Sequence, residues 1–186
     1  MKPILALLAL LALAACKEDT AALPPPVDLT AEAVGYYCQM DLLDHDGPKG
    51  QIHLDGMPAP IFFSQVRDTL AYLHMPEQSH AVRAVYVQDM TGATWDRPGP
   101  WIAADRAVYV AGSDRMGGMD APEFVPFSDE AAARAFSDIH GGTLRPYADI
   151  TAGELLATEP PAPGPAPDAS DIAARLGALA QPDRSN

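Results

Sequence analysis

An α+β fold, two similar strand-strand-helix-strand units forming a compact core, is what the sequence predicts, and three observations carry it. A seven-residue stretch occurs twice in imperfect copy, Pro58-Ala59-Pro60-Ile61-Phe62-Phe63-Ser64 and Pro122-Glu123-Phe124-Val125-Pro126-Phe127-Ser128. Each copy reads as a short apolar strand ending in Phe, followed by a serine at the N-cap position of a helix. Aromatic residues, Tyr72 and Phe136, stand eight positions after the two serines, on one helical face of each copy.

In the first half, Gln51 to Leu54 and Pro60 to Phe63 flank a turn at Asp55-Gly56, a hairpin signal. The helix then spans Ser64 to His74, with Val66, Leu70 and Leu73 along its apolar side. Ala81 to Gln88 follows as a strand with alternating apolar positions. In the second half, Ala107 to Val110 and Glu123 to Phe127 precede a helix from Ser128 to His140, lined by Ala132, Ala135, Phe136 and Ile139. Gly141-Gly142 stops that helix as a C-cap glycine does, and Thr143 to Arg145 is the last strand.

The ends are of another kind. Lys2 followed by the apolar run Ile4 to Leu13 has the shape of a secretory signal peptide, too short to span a bilayer. Leu13-Ala14-Ala15-Cys16 is similar to a bacterial lipobox, which makes Cys16 the lipidated first residue of the mature chain. The organisation expected is a signal peptide over 1–15, then a lipidated N-terminus and proline-rich spacer over 16–33. Pro24-Pro25-Pro26 suggests a stiff, extended spacer holding the domain off the membrane. The two units follow, over 34–98 and 99–157, and a disordered tail rich in proline and alanine over 158–186.

The formal charge of −13 leaves no basic footprint for nucleic acid, nor a polybasic grip on anionic lipid. Attachment to a membrane therefore rests on acylation. Of the two cysteines, lipidation consumes Cys16 and leaves Cys38 alone in an oxidising compartment. An odd thiol there asks for an intermolecular partner, a buried inert role or a metal. Catalysis finds little support. The histidines His45, His53, His74, His80 and His140 form no recognisable pairing with Cys38. Gly112 to Gly118 lacks the lysine and spacing of a phosphate loop, and zinc spacings are absent.

Thioethers tell more. Cys38-Gln39-Met40 sets a thioether two residues from the thiol, and Asp114-Arg115-Met116-Gly117-Gly118-Met119-Asp120 carries two methionines among glycines and charges. Methionine in such a loop gains little packing and risks oxidation. A thiolate with thioethers is a soft donor set that favours Cu(I) over calcium or magnesium. In an extended Cys-x-Met segment both side chains would share one face. Tyr36 and Tyr37 would either wall the site or belong to a strand core.

These residues resemble the NosL family, the nitrous oxide reductase accessory lipoproteins, over most of the chain from Cys16 to about Ile150. The resemblance rests on the lipobox, on Tyr37-Cys38-Gln39-Met40-Asp41, on the Gly112-Ser113-Asp114 to Met119 loop followed by Phe124-Val125-Pro126-Phe127, and on His140-Gly141-Gly142. It implies a non-enzymatic copper carrier on the periplasmic face of a bacterial membrane. Such a carrier delivers Cu(I) to nitrous oxide reductase through a membrane ABC-type maturation complex. It implies copper ligation by Cys38, Met40 and Met119, with Met116 a rival for the loop position, and a fold related to organomercurial lyase. A passive scaffold lipoprotein with an inert Cys38 is the other reading.

Overall fold

A computed structural model describes residues 22–157 except 77 and 79. The signal peptide, Cys16 and the 158–186 tail lie outside the described residues. Among those described, seven strands form two antiparallel sheets. The first sheet contains β1 (Gly50–Leu54), β2 (Ile61–Phe63), β3 (Val82–Gln88) and β4 (Trp101–Ala103), in the order β2-β1-β3-β4. The second contains β5 (Val108–Met116), β6 (Pro122–Phe127) and β7 (Thr143–Pro146), in the order β6-β5-β7. Helix α1 (Val66–Tyr72) connects β2 to β3, and α2 (Glu130–His140) connects β6 to β7. In each sheet the earliest strand is central, and the helix joins its two neighbours. Strand β4 and a short α3 (Ala152–Leu156) carry no comparable sequence signal and were not expected.

Packing follows from which faces are apolar. Ile52 and Leu54 of β1 and Phe63 of β2 pack on Tyr72 of α1. The other side of α1, through Val66, Leu70 and Ala71, meets Val87 of β3 and Tyr109 and Phe124 of the second sheet. Helix α1 is thus the shared filling between the sheets. Helix α2 covers the second sheet through Ala133, packed with Val110, Val125 and Phe127. Its exposed side is wider than its periodicity suggests. Ala132 and Phe136 pack, whereas Ala135 is exposed and Ile139 is 76% exposed. The eleven-residue helix rests on the sheet along one flank only, so these two positions face water.

Both helix starts correct the expectation of serine caps. Helix α1 begins at Val66 with Gln65 at the cap position and no side-chain bond from it. Its free first-turn amides, Val66 N–H and Arg67 N–H, instead donate to the Glu123 carboxylate at 3.0 and 2.8 Å. A carboxylate on β6 therefore caps a helix 56 residues earlier and ties the two sheets together. In α2 the cap is Asp129, which accepts from Ala132 N–H at 2.8 Å. Ser128 turns away to donate from its backbone N–H to Asp89 at 2.9 Å. The helix stop at Gly141 is as expected, with φ of 72°.

Strand β1 is buried along its whole length, including Gln51 and His53. Its second face is covered by the residues just after Ala22. Tyr86 Oη donates to the Pro24 carbonyl at 2.7 Å, and the Gln51 side chain bonds both the N–H and the C=O of Val27 at 2.9 Å. Burial depresses the His53 pKa, and its Nε2 lies 3.1 Å from Gln51 Oε1.

Candidate functional site

Cys38 sits at the tip of a tight loop rather than on an extended segment. The loop is closed by Gly35 N–H to Met40 O at 3.0 Å and by Leu42 N–H to Ala33 O at 2.9 Å. It is anchored to the edge of the first sheet by Tyr36 N–H to Phe62 O at 2.7 Å. Gln39, between the thiol and the thioether, has φ of 55°. The expected sharing of one strand face by Cys38 and Met40 therefore does not arise; a left-handed residue turns the chain between them. The Gln39 side chain holds that turn by donating to the Tyr36 carbonyl at 2.7 Å. The Cys38 thiol makes a long sulfur contact, 4.0 Å, to the Met40 carbonyl. Cys38 is a free, half-buried thiol.

The methionine loop approaches from the other sheet. Strands β5 and β6 pair regularly from Val108 to Ala111 and again at Met116, with the register shifting between. Beyond Met116 the chain turns through Gly117 to Asp120, closed by Gly117 N–H to Ala121 O at 2.8 Å. Asp120 has φ of 55°, and it and Gln39 are the only non-glycine residues with positive φ among those described. Both stand next to a sulfur-bearing residue singled out from the sequence. Left-handed backbone at an ordinary residue is uncommon and gathers at functional sites.

Ser64 and Gln65 join the two loops. A Cβ placed on Gly118 would lie 2.7 Å from the Ser64 carbonyl oxygen and 2.9 Å from His45 Cβ, while one on Gly35 would lie 3.8 Å from Ser64 N. Met119 N–H donates to Gln65 Oε1 at 3.1 Å, which ties the methionine directly to this segment. A Cβ on Gly117 would meet Gln65 Oε1 at 2.6 Å and Glu123 Oε2 at 2.7 Å, so only glycine lets the loop settle this deeply. Met40 (44% exposed) and Met119 (41%) remain open to solvent. Met116 is equally open but belongs to the strand end, opposite Pro122.

The surroundings are aromatic outside and polar beneath. Tyr36 and Tyr37 are about half exposed and pack on Phe63 and Tyr72 with ring centroids 5.3–6.5 Å apart. They wall the mouth and cap the core at once. Under Gly118, His45 Nε2 is buried with no hydrogen-bond partner. Below Gly117, Glu123 is 1% exposed, and burial pushes its pKa up to about 7 against the pull of three backbone N–H donors. Burial lowers Lys49 to about 8, and its ammonium donates to the carbonyls of His45, Asp46 and Gly47. On the far flank, His140 Nδ1 lies 3.0 Å from Asp114 Oδ1, and Arg115 lies over the Trp95 ring at 5.6 Å. Gln65, Glu123 and His45 escaped sequence reasoning. Each supports the loops from a distant segment, and nothing in local spacing marks them.

Among the described residues no three His, Cys, Asp or Glu side chains form a metal-holding cluster. The sulfur groups on the two loops are one half-buried thiol and the exposed thioethers of Met40, Met116 and Met119. Gly35 sets the position of the thiol, because the Cys38 Sγ fills the space that a side chain at Gly35 would occupy. Gly35→Ala is expected to leave the fold intact, since its backbone φ is not positive, and to weaken Cu(I) binding at least tenfold by displacing Sγ. Circular dichroism and a Cu(I)-chelator competition on the same sample check both parts.

The chain presents an α+β domain of two antiparallel sheets, with a half-buried thiol on a loop beside one sheet and exposed thioethers on a loop of the other. The chain belongs to the NosL family, whose model matches residues 26–155. It is similar to the copper-binding lipoprotein NosL of Achromobacter cycloclastes, 51% identical over 96% of this chain and 95% of that protein. It is also similar to the copper-binding lipoprotein NosL of Stutzerimonas stutzeri, 30% identical over 79% of this chain and 78% of that one. Among solved structures it resembles the crystal structure of the copper chaperone NosL from Shewanella denitrificans. The TM-score there is 0.62 and the identity 31%, covering 69% of this chain and 98% of that one.

Proposed function

We propose that this protein is a lipid-anchored periplasmic metallochaperone that carries Cu(I) on Cys38, Met40 and Met119. It hands copper to a membrane ABC-type complex that matures nitrous oxide reductase. The observation that supports the reading is that Gly35, against which the Cys38 Sγ packs, and the Met119 turn both lie beside Ser64-Gln65, and that Cys38 and Met119 each stand next to a positive-φ residue. A soft monovalent cation suits one thiolate and two thioethers, and the exposure of both methionines leaves the metal open to ligand exchange. Met119 is preferred over Met116 because its own amide is fastened to Gln65 beside the thiol loop. Copper binding and the lipid anchor agree with the names of the Achromobacter and Stutzerimonas relatives. Acylation falls on Cys16.

We also read the chain as duplicated strand-strand-helix-strand units over 34–98 and 99–157, β1-β2-α1-β3 and β5-β6-α2-β7, related to the organomercurial lyase fold, with β4 crossing from the second span to pair with β3 of the first. The shared strand order around each helix supports this. With Cys38 as the one thiol left after acylation, the cysteine pair of that lyase chemistry is missing.

In a strain lacking this protein, or carrying Cys38→Ser, nitrous oxide reductase should be exported in normal amount but poor in its catalytic copper cluster. Metal analysis and spectra of the purified reductase measure this. A fully metallated reductase in the deletion strain under copper limitation would contradict delivery.

A further inference from the structure

We propose that residues 23–30 are a strap fastened across the first sheet, so that the lipid tether is short and the domain is held close to the bilayer. Resting on the Cys16 anchor proposed above, this replaces a free proline spacer by a fixed attachment.

The strap follows one cross-strand row. Ala103, Tyr86, Gln51 and Phe62 are register partners through β4, β3, β1 and β2. Leu23 borders the groove formed with Tyr86 and Ala103 on the β4 side. Pro24 then accepts from Tyr86 Oη at 2.7 Å, and Val27 is held through both backbone groups by Gln51. Val27 to Thr30 finish beside Ile61 and Phe62 on the β2 side. Gln51 is fully buried, and a buried amide is retained where its donors and acceptor are satisfied, here by Val27 and His53. Pro24, Pro25 and Pro26 have no N–H to leave unpaired while the segment crosses.

Chain length then limits the domain's height. From Cys16 to Leu23 is seven residues, at most about 25 Å whatever their conformation, against about 60 Å if the chain were free to Val34. The strap enters at the β4 edge and ends at the Cys38 loop, which is bonded to β2. The strap's entry at Leu23 and the Cys38 loop therefore lie at opposite edges of the sheet, about 14 Å apart across three strand spacings.

The test uses the full-length lipidated protein in bilayers. Val27 N–H should exchange at least 100-fold more slowly than an unstructured amide. Gln51→Ala should remove that protection and Tyr86→Phe reduce it. Neutron reflectometry on a supported bilayer should place the domain within about 25 Å of the headgroups, and Gln51→Ala should widen that gap. Exchange at Val27 at the unstructured rate would overturn the strap, while Val27 protection with a gap well beyond 25 Å would overturn the short tether. Failure of the wild-type protein to attach to the bilayer would remove the anchor reading on which the short tether depends.

Discussion

Cys38→Ala should abolish Cu(I) binding, lowering the affinity at least 100-fold in competition with a Cu(I) chelator, while the wild type binds one Cu(I) per monomer. In the proposed ligand set the thiolate is the one charged sulfur donor; without it two neutral thioethers face the cation. Met40→Ala and Met119→Ala should each weaken binding less, about tenfold, a loss of about 1.4 kcal/mol, and Met116→Ala least. Ligation displaces the thiol proton, so the wild-type affinity rises with pH and the Cys38→Ala remnant does not follow. Wild-type affinity in Cys38→Ala would remove the thiol from the site.

Glu123→Ala should destabilise the domain strongly, by about 4 kcal/mol, because it leaves the N–H groups of Val66, Arg67 and Phe124 without their acceptor. Denaturant unfolding measures it. Glu123→Gln keeps one acceptor oxygen and should cost less, and its value lies in the pH profile. Burial raises the Glu123 pKa from 4.5 to about 7, so between these values the folded state holds a proton that the unfolded chain releases. The favourable contribution is complete below about pH 4.5 and is lost as pH climbs through about 7, a change of about 3 kcal/mol. Glu123→Gln should flatten that window. An unchanged slope would assign it to other groups.

The sequence declared the elements more readily than their supports. The repeated Pro-to-Ser stretch and its aromatic spacing led to both helices and to the strands before and after them, because periodicity and turn residues are local signals. Strand β4 escaped, since three residues without alternation become a strand only by pairing with β3. The serine caps were displaced for a similar reason. Glu123 reaches α1 from another sheet, and a long-range acceptor leaves no trace in the spacing around Ser64. At the two loops, Cys38, Met40, Met116 and Met119 stand out because sulfur in a polar, glycine-rich setting is conspicuous, and the resemblance, not the spacing, points to Met119 over Met116. The left-handed turn at Gln39 was hidden, as glutamine does not advertise positive φ. Gln51 reads as an ordinary strand residue until the strap is seen above it.

Transfer of the metal tests the central claim most directly. Detergent-solubilised full-length protein loaded with one Cu(I) is mixed with the purified periplasmic subunit of the maturation complex, the partners are separated, and copper is counted in each. The account predicts that copper moves to the acceptor from the wild type, and that Cys38→Ala, which holds none, supplies none. Full retention of Cu(I) by the wild-type protein with every acceptor of the complex would contradict hand-over and leave this mouth a store.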